Sequence, residues 1–252
     1  MIEACARAGV VLMVGHTHRF RAEHIKAKEL LDGGAIGHIL QARDVIFAGR
    51  DVLQPPGWRG VTALSGGGVF MDNGVHAADR LRWWLGDEVA WVAARTGRAI
   101  ALVEGEDHGV AFLAFRHGIV AIMVIEHRQL AQVMKLAFEA VWKCGLTLEQ
   151  ALAVPKAASA CYAEFIGSEG VLHVDTWQRL RITTRGRPWE EVPLPQDAPD
   201  GFDAEIAEFV GAIRQGRAPA VTGEDGRAAL EIILAIYISA RTDAPVRLPL
   251  SR

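Results

Sequence analysis

The chain has 252 residues, half of them apolar, and a formal net charge of −3 from 27 Lys and Arg against 30 Asp and Glu. That is enough apolar material for one large domain or two small ones. The near-neutral charge, with no basic block interleaved with aromatics, excludes a long-range pull toward nucleic acid or an anionic membrane surface.

Three widely spaced cysteines, Cys5, Cys144 and Cys161, argue against a disulfide framework or a cysteine-based zinc site. They suit a reducing, cytoplasmic compartment. Glu3 and Arg7 interrupt any secretory signal, and no apolar run approaches membrane-spanning length.

Residues 1–8 read as the tail of a helix closed by Gly9. Residues 10–14, Val-Val-Leu-Met-Val, form an apolar run of strand length, predicted to be a parallel strand buried on both faces. Such a strand needs a sheet partner, and none is evident downstream. Residues 24–31 are predicted helical, 32–37 a stop and turn, and 38–47 a strand. A loop rich in glycine and proline follows around residues 54–60.

Gly66-Gly67-Gly68 then leads into a predicted helix beginning near Asp72. On that helix Asp72 and His76 are four residues apart and share a face. A carboxylate beside an imidazole is a working acid/base pair, and the glycines would let a ligand approach the backbone closely. The alternative is an ordinary helix start, with Asp72 as N-cap and His76 half-solvated. Val75, Ala78, Leu81 and Leu85 form the apolar side of this helix; Asp72, His76 and Asp79 form the other. Asn73 either donates to a substrate hydroxyl or caps the helix. Asp79 is expected to be solvated or salt-bridged.

Strands are predicted over 89–96, 99–104, 110–115 and 119–125, with His117-Gly118 as a hairpin turn. The pattern resumes at 161–166, 171–175 and 179–184, and two amphipathic helices, 203–215 and 224–241, close the chain. The first carries Ile206, Phe209, Val210 and Ile213 on one face, the second Leu230, Ile233, Leu234 and Tyr237. The fold class expected is α+β: a largely antiparallel open sheet with helices on one face, preceded by a fragment of parallel α/β.

Several landmarks in order resemble the glucose–fructose oxidoreductase / inositol dehydrogenase (Gfo/Idh/MocA) family. They are residues 11–20 ending in Gly-His-Thr-His-Arg-Phe, residues 29–37, Trp58-Arg59, Ser65-Gly66-Gly67-Gly68 running into Asp72, His76 and Asp79, residues 165–170, and residues 221–227 running into Ser239-Ala240. The resemblance implies an NAD- or NADP-dependent oxidoreductase with a Rossmann domain in front of an α/β domain. Residues 1–20 would then be a remnant of the nucleotide-binding domain, and 21–252 the substrate and oligomerisation domain. Roughly a hundred residues of a usual nucleotide-binding domain are expected to be missing in front. No Gly-x-Gly-x-x-Gly occurs, since Met71 stands where the third glycine of Gly66-x-Gly68 would be, and the family's Glu-Lys-Pro motif is absent. Residues 127–160 also depart from the family: Leu130, Val133, Met134, Ala137, Phe138 and Val141 have helical spacing where the family continues its sheet.

By the resemblance, His76 is the general base or acid acting on a substrate hydroxyl, and Asp72 orients and tunes it. Helix N-terminus and carboxylate push its pKa in opposite directions, giving an expected value close to the ~6.5 reference. Trp58 and Arg59 fall at the cofactor cleft. There Arg59 grips a phosphate or substrate carboxylate, or is an ordinary surface arginine. His16, Thr17 and His18 follow the Rossmann-like strand, where ligands gather; His16 is assigned to the cofactor, Thr17 and His18 to substrate. His16 and His18 would alternate faces if the strand continued through them, so no metal site is expected.

The function expected is hydride transfer between nicotinamide and a hydroxyl-bearing carbon of a sugar, polyol or cyclic diol. The isolated chain is expected to be inactive. The alternative is a non-catalytic oligomerisation or binding module derived from such an enzyme. Partners expected are a small-molecule substrate and a second copy docked through the open sheet face, with neither nucleic acid nor membrane.

Overall fold

The computed structural model describes residues 1–47, 57–98, 103–126 and 160–251. Its helices are α1 (Ile2–Ala8), α2 (Ala22–Asp32), α3 (Thr62–Ser65), α4 (Val75–Leu85), α5 (Gly201–Gln215) and α6 (Gly223–Thr242). Its strands are β1 (Ile39–Phe47), β2 (Val89–Gly97), β3 (His108–Phe115), β4 (Val120–Glu126), β5 (Ala160–Gly167), β6 (Gly170–Asp175), β7 (Arg179–Thr184), β8 (Glu190–Val192) and β9 (Val246–Arg247). No described helix is long and apolar enough to cross a membrane.

Among the described residues the strands form one nine-stranded sheet, in the order β8-β7-β6-β5-β1-β4-β3-β2-β9. Every pairing is antiparallel except β1 with β4, where Gln41 faces Val120 and Phe47 faces Glu126. The fold is therefore the α+β arrangement expected. Alternation sets which face is covered. Ala42, Asp44 and Ile46 of β1, Ala111 and Leu113 of β3, and Ala121, Met123 and Ile125 of β4 are buried. Against them pack Leu81 and Trp84 of α4 and Ile232, Ile233 and Ile236 of α6. Each fully buried aliphatic side chain contributes on the order of 1.5–3 kcal/mol.

The helix ends follow local chemistry. Gly9, Gly86 and Gly216 close α1, α4 and α5 with φ of 65°, 58° and 61°, a region costly for residues with a Cβ. Gly118, at φ 93°, makes the β3–β4 hairpin turn predicted there.

Four expectations need correction. Residues 10–14 pair with no strand of the sheet. They run extended outside it, joined at Val14 N–H to the Val221 carbonyl (3.2 Å), with Val10 57% exposed. Among the described residues no strand lies beside them, and the sheet ends at β8 and β9. The chain then turns directly into a 3₁₀ turn, Thr17–Phe20, so His16 and His18 do not alternate across a strand. The helix after the glycine loop begins at Val75, preceded by a wide π turn over Phe70–Gly74. Finally, the stripe of α5 faces outward, with Ile206 61%, Val210 38% and Ile213 52% exposed. Of the predicted strand 99–104, only 103–104 are described, and they lie outside any strand. The anomalous stretch 127–160 lies outside the described residues except for Ala160, which opens β5.

Candidate active site

The glycine loop owes its composition to the chain's own side chains. A Cβ on Gly67 would stand 2.2 Å from the Tyr237 hydroxyl, and one on Gly68 1.9 Å from the Glu106 carbonyl oxygen. Through its carboxylate Glu106 accepts from Gly68 N–H (3.0 Å), Phe70 N–H (2.9 Å) and the Tyr237 hydroxyl (2.8 Å). Met71 N–H in turn donates to the Tyr237 oxygen at 3.1 Å, and Val69 N–H to the Glu106 carbonyl at 2.8 Å. So these glycines admit Glu106 and Tyr237, where the sequence suggested a ligand. This clamp fixes the π turn that carries Asp72 and Asn73 and aims His76 from the first turn of α4.

Two groups of expected site residues form on either side of that turn. On one side Asp72 accepts from Arg59 Nε (3.1 Å) and from Asn73 Nδ2 (3.3 Å), and the Arg59 guanidinium lies over Trp58, 4.6 Å from the ring centre. Trp58 is 56% exposed. On the other side His76 stacks on His18 (centroids 5.0 Å, planes 18° apart) and meets His16 edge-on (5.7 Å, 88°). His24 and Trp177 close around His18 at 5.5 and 5.7 Å. Both histidines of the 16–18 segment thus converge on His76. Thr17 takes another direction, its hydroxyl donating to Glu205 Oε2 at 2.8 Å.

Buried ion pairs lock the two segments together. Arg19 forks onto Asp79 (2.8 and 2.6 Å) and reaches Asp225 at the start of α6 (3.2 Å). Asp79 is 1% exposed, so of its two expected roles it has the salt-bridged one, in the interior and not on a polar helix face. One position on, fully buried Arg80 forks onto Asp44 of β1, and its Nη1 contacts His18 Nδ1 at 2.6 Å and Cys161 Sγ at 3.4 Å.

The electrostatics correct the value expected for His76. Burial, then the charges of His16 and Arg80, push it down to about 4, against the opposing pull of Asp79 and Asp72. Burial also lowers His16, and holds His18 and His24 well below the usual imidazole range. All four imidazoles are neutral at pH 7. Both ring nitrogens of His16 and Nδ1 of His76 are buried without a hydrogen-bond partner among the described residues. Sequence reasoning missed Glu106, Tyr237's role, Arg80 and Asp44. Only Asp44 left a signal, a carboxylate at a core-facing position of a strand.

Residues 24–136 match the family described as GFO/IDH/MocA C-terminal domain, and residues 146–248 that described as Oxidoreductase family, C-terminal alpha/beta domain. The chain belongs to the Gfo/Idh/MocA family. Within it, the chain is 31% identical over 249 residues to 1,5-anhydro-D-fructose reductase of Ensifer adhaerens, covering 96% of this chain and 66% of that relative. A solved relative, aldose-aldose oxidoreductase from Caulobacter crescentus complexed with glycerol, has 27% identity and a TM-score of 0.79, over 98% of this chain and 67% of that one. The WlbA dehydrogenase from Bordetella pertussis, in complex with NADH and UDP-GlcNAcA, has 25% identity and a TM-score of 0.72, over 99% and 68%. The chain thus spans about two thirds of the length of these family members.

Proposed function

We propose that this chain is the substrate-facing part of a nicotinamide-dependent oxidoreductase. Its substrate would be a sugar, polyol or cyclic diol, and His76 would move the proton of the reacting hydroxyl. One observation carries the reading: a neutral imidazole, aimed from the first turn of α4 beyond the clamped glycine turn, stands against the His16–His18 segment and within the field of Asp72. The relatives support the chemical class, being a sugar reductase, an aldose oxidoreductase and an NADH-bound dehydrogenase.

In this reading His76 is in its proton-accepting form throughout the neutral range, and takes the hydroxyl proton as the carbon loses hydride. The charges of Asp72 and Asp79 favour the imidazolium that forms. Asn73 has a second amide hydrogen to offer a substrate oxygen beyond the one given to Asp72. When bound, NAD or NADP supplies the hydride acceptor. The ring nitrogens of His16 have no hydrogen-bond partner among the described residues, although Nε2 stands 3.7 Å from Asp79 Oδ1, and in a neutral ring one donates and the other accepts, which suits a carboxamide. His16, Trp58 and Arg59 are the residues that would bear on it. The sequence holds no glycine-rich turn for the pyrophosphate. The chain is therefore read as residues 1–20 of a nucleotide-binding unit followed by the substrate domain 21–252, inactive alone and assembled with a second copy through the open sheet face.

Calorimetric titration of the 252-residue chain with oxidised and reduced NAD and NADP tests the incompleteness. No binding is expected, and micromolar binding would overturn it. The catalytic role is tested by expressing the chain together with the reading frame upstream of its first codon and assaying a panel of polyols and sugars. His76→Gln is expected to lower kcat by about 10²–10⁴, the usual contribution of a positioned acid or base. Activity unaffected by that substitution rejects the role of His76. An upstream region with no reading frame would favour the non-catalytic module instead.

A further inference from the structure

The contact between Arg80 and His18 has a chemical consequence that neither residue type suggests alone. A guanidinium carries only donors and keeps its charge at any working pH. The nitrogen that it meets, His18 Nδ1 at 2.6 Å, therefore has to present a lone pair. In a neutral ring the proton then sits on Nε2, at the other edge. Arg80 has little freedom to do otherwise, because two further nitrogens are forked onto Asp44 and the residue is fully buried. Buried ion pairs seldom add stability over apolar residues of the same volume. A task for the Asp44–Arg80 pair beyond stability is accordingly in order.

We propose that Arg80, anchored by Asp44, is a positioning residue that holds His18 as its Nε2–H tautomer, making it a hydrogen-bond donor and never a base beside His76. The two stacked imidazoles thereby acquire different chemistry. His18, with Nδ1 engaged, has only its Nε2–H to give; His76 is left to accept a proton. A second proton on His18 is opposed first by burial and then by the Arg80 and Arg21 guanidinium charges, while the neighbouring imidazoles of His24 and His76, themselves neutral, bring no counter-charge to favour it. The Asp44 carboxylate, which could have drawn such a proton, is committed to Arg80. The partner that suits such a donor is an uncharged oxygen with a lone pair, a hydroxyl or carbonyl of a polyol or sugar. That extension to a ligand rests on the oxidoreductase reading, whereas the tautomer does not.

The tautomer is read directly by long-range ¹H–¹⁵N correlation on the ¹⁵N-histidine-labelled 252-residue chain, with the His18 signals assigned by their loss in His18→Gln. The expected pattern is a protonated Nε2 and an unprotonated Nδ1, unchanged between about pH 8 and about pH 5, while an exposed imidazole titrates near its ~6.5 reference. An Nδ1–H ring, or a His18 that becomes cationic in that range, overturns the proposal. A nitrogen–nitrogen coupling across the Arg80–His18 bond in uniformly labelled protein identifies Arg80 as the cause, and its absence rejects Arg80. The double variant Asp44→Asn/Arg80→Gln removes both charges together. Where it folds, mixed His18 tautomers are expected, and retention of pure Nε2–H counts against the proposal. None of these measurements needs cofactor or turnover, so a failed dehydrogenase assay leaves the tautomer standing and a wrong tautomer leaves the dehydrogenase reading standing.

Discussion

A methyl group on Gly68 would stand 1.9 Å from the Glu106 carbonyl oxygen, a backbone atom that cannot swing aside. Gly68→Ala is therefore expected to destabilise by at least the ~1–3 kcal/mol typical of overpacking. Its loss is expected to disrupt the π turn that aims His76. Gly211, inside α5, is the opposite case: a Cβ there meets only an Arg217 nitrogen at 3.6 Å. Gly211→Ala should gain roughly 0.5–1 kcal/mol from reduced unfolded-state freedom and better helix propensity. Thermal midpoints of the two variants check the contrast, and equal shifts would sink it. The same side-chain detail decides how far the site was legible. Spacing alone set Asp72 and His76 four residues apart at a helix start, a local property, but the structure gives Asp72 to Arg59 and Asn73 and His76 to His16 and His18. What covers that turn is not local. Asp79 looked like a polar-face residue until Arg19 reached it from sixty residues away, and His76 looked like an ordinary imidazole until burial pushed it to about 4.

The start of α6 is where a local motif is tied to the site. Thr222 Oγ1 accepts from Asp225 N–H (3.1 Å), and the Asp225 carboxylate accepts from Thr222 N–H (2.9 Å), a reciprocal capping box. Asp225 also takes Arg19 at 3.2 Å, so the cap holds the 17–20 turn as well as the helix. Thr222→Ala should lower stability by about 1 kcal/mol, within the ~0.5–2 range for cap removal. The denaturant midpoint would report it, and an unchanged midpoint would show that the Arg19 and Arg82 ion pairs carry Asp225 without the cap. Elements with strong alternation or 3.6-residue periodicity were readable in advance: α2, β1, β5, β6, β7, α5 and α6 fall within a few residues of their expected bounds. The failures share a cause. Residues 10–14 have the composition of a buried strand, but a strand exists only with a neighbour, and no described strand pairs with them. Those two short strands carry too few residues for a period to show. The parallel pairing of β1 with β4 likewise has no local signature, since it joins residues seventy-nine apart.

At the scale of the molecule, one face of the sheet carries α4 and α6, and on the other a row of apolar side chains runs across β4, β3 and β2. On it Val110 pairs with Val124 and Phe112 with Ile122, continuing through Trp91, which stacks on Phe112 at 5.3 Å. Val110 is 47% exposed. Such a patch suits a second copy, and Val110→Lys with Ile122→Lys is expected to shift the sedimentation of the chain to that of a monomer. A wild type that already sediments as a monomer would reject the interface. The four histidines make a separate demand on the whole fold. Each is neutral when buried and has an ordinary value near 6.5 when unfolded, with His76 falling to about 4 in the folded chain. Between those values the unfolded state binds more protons at His76 than the folded one, so stability falls as pH falls, by about 1.4 kcal/mol per pH unit from that group, and the other three act in the same direction. The depressed carboxylates Asp175 and Asp225 act in the same direction at lower pH, whereas Glu205, pushed up by burial, opposes it. The histidines outnumber it. The stability of the chain should therefore drop steeply on acidification from about pH 6.5 toward pH 4, with a slope corresponding to uptake of more than a single proton. Urea unfolding at a series of pH values measures that slope, and His76→Asn should reduce it. A profile flat down to pH 5 would mean that water reaches these imidazoles in the folded chain.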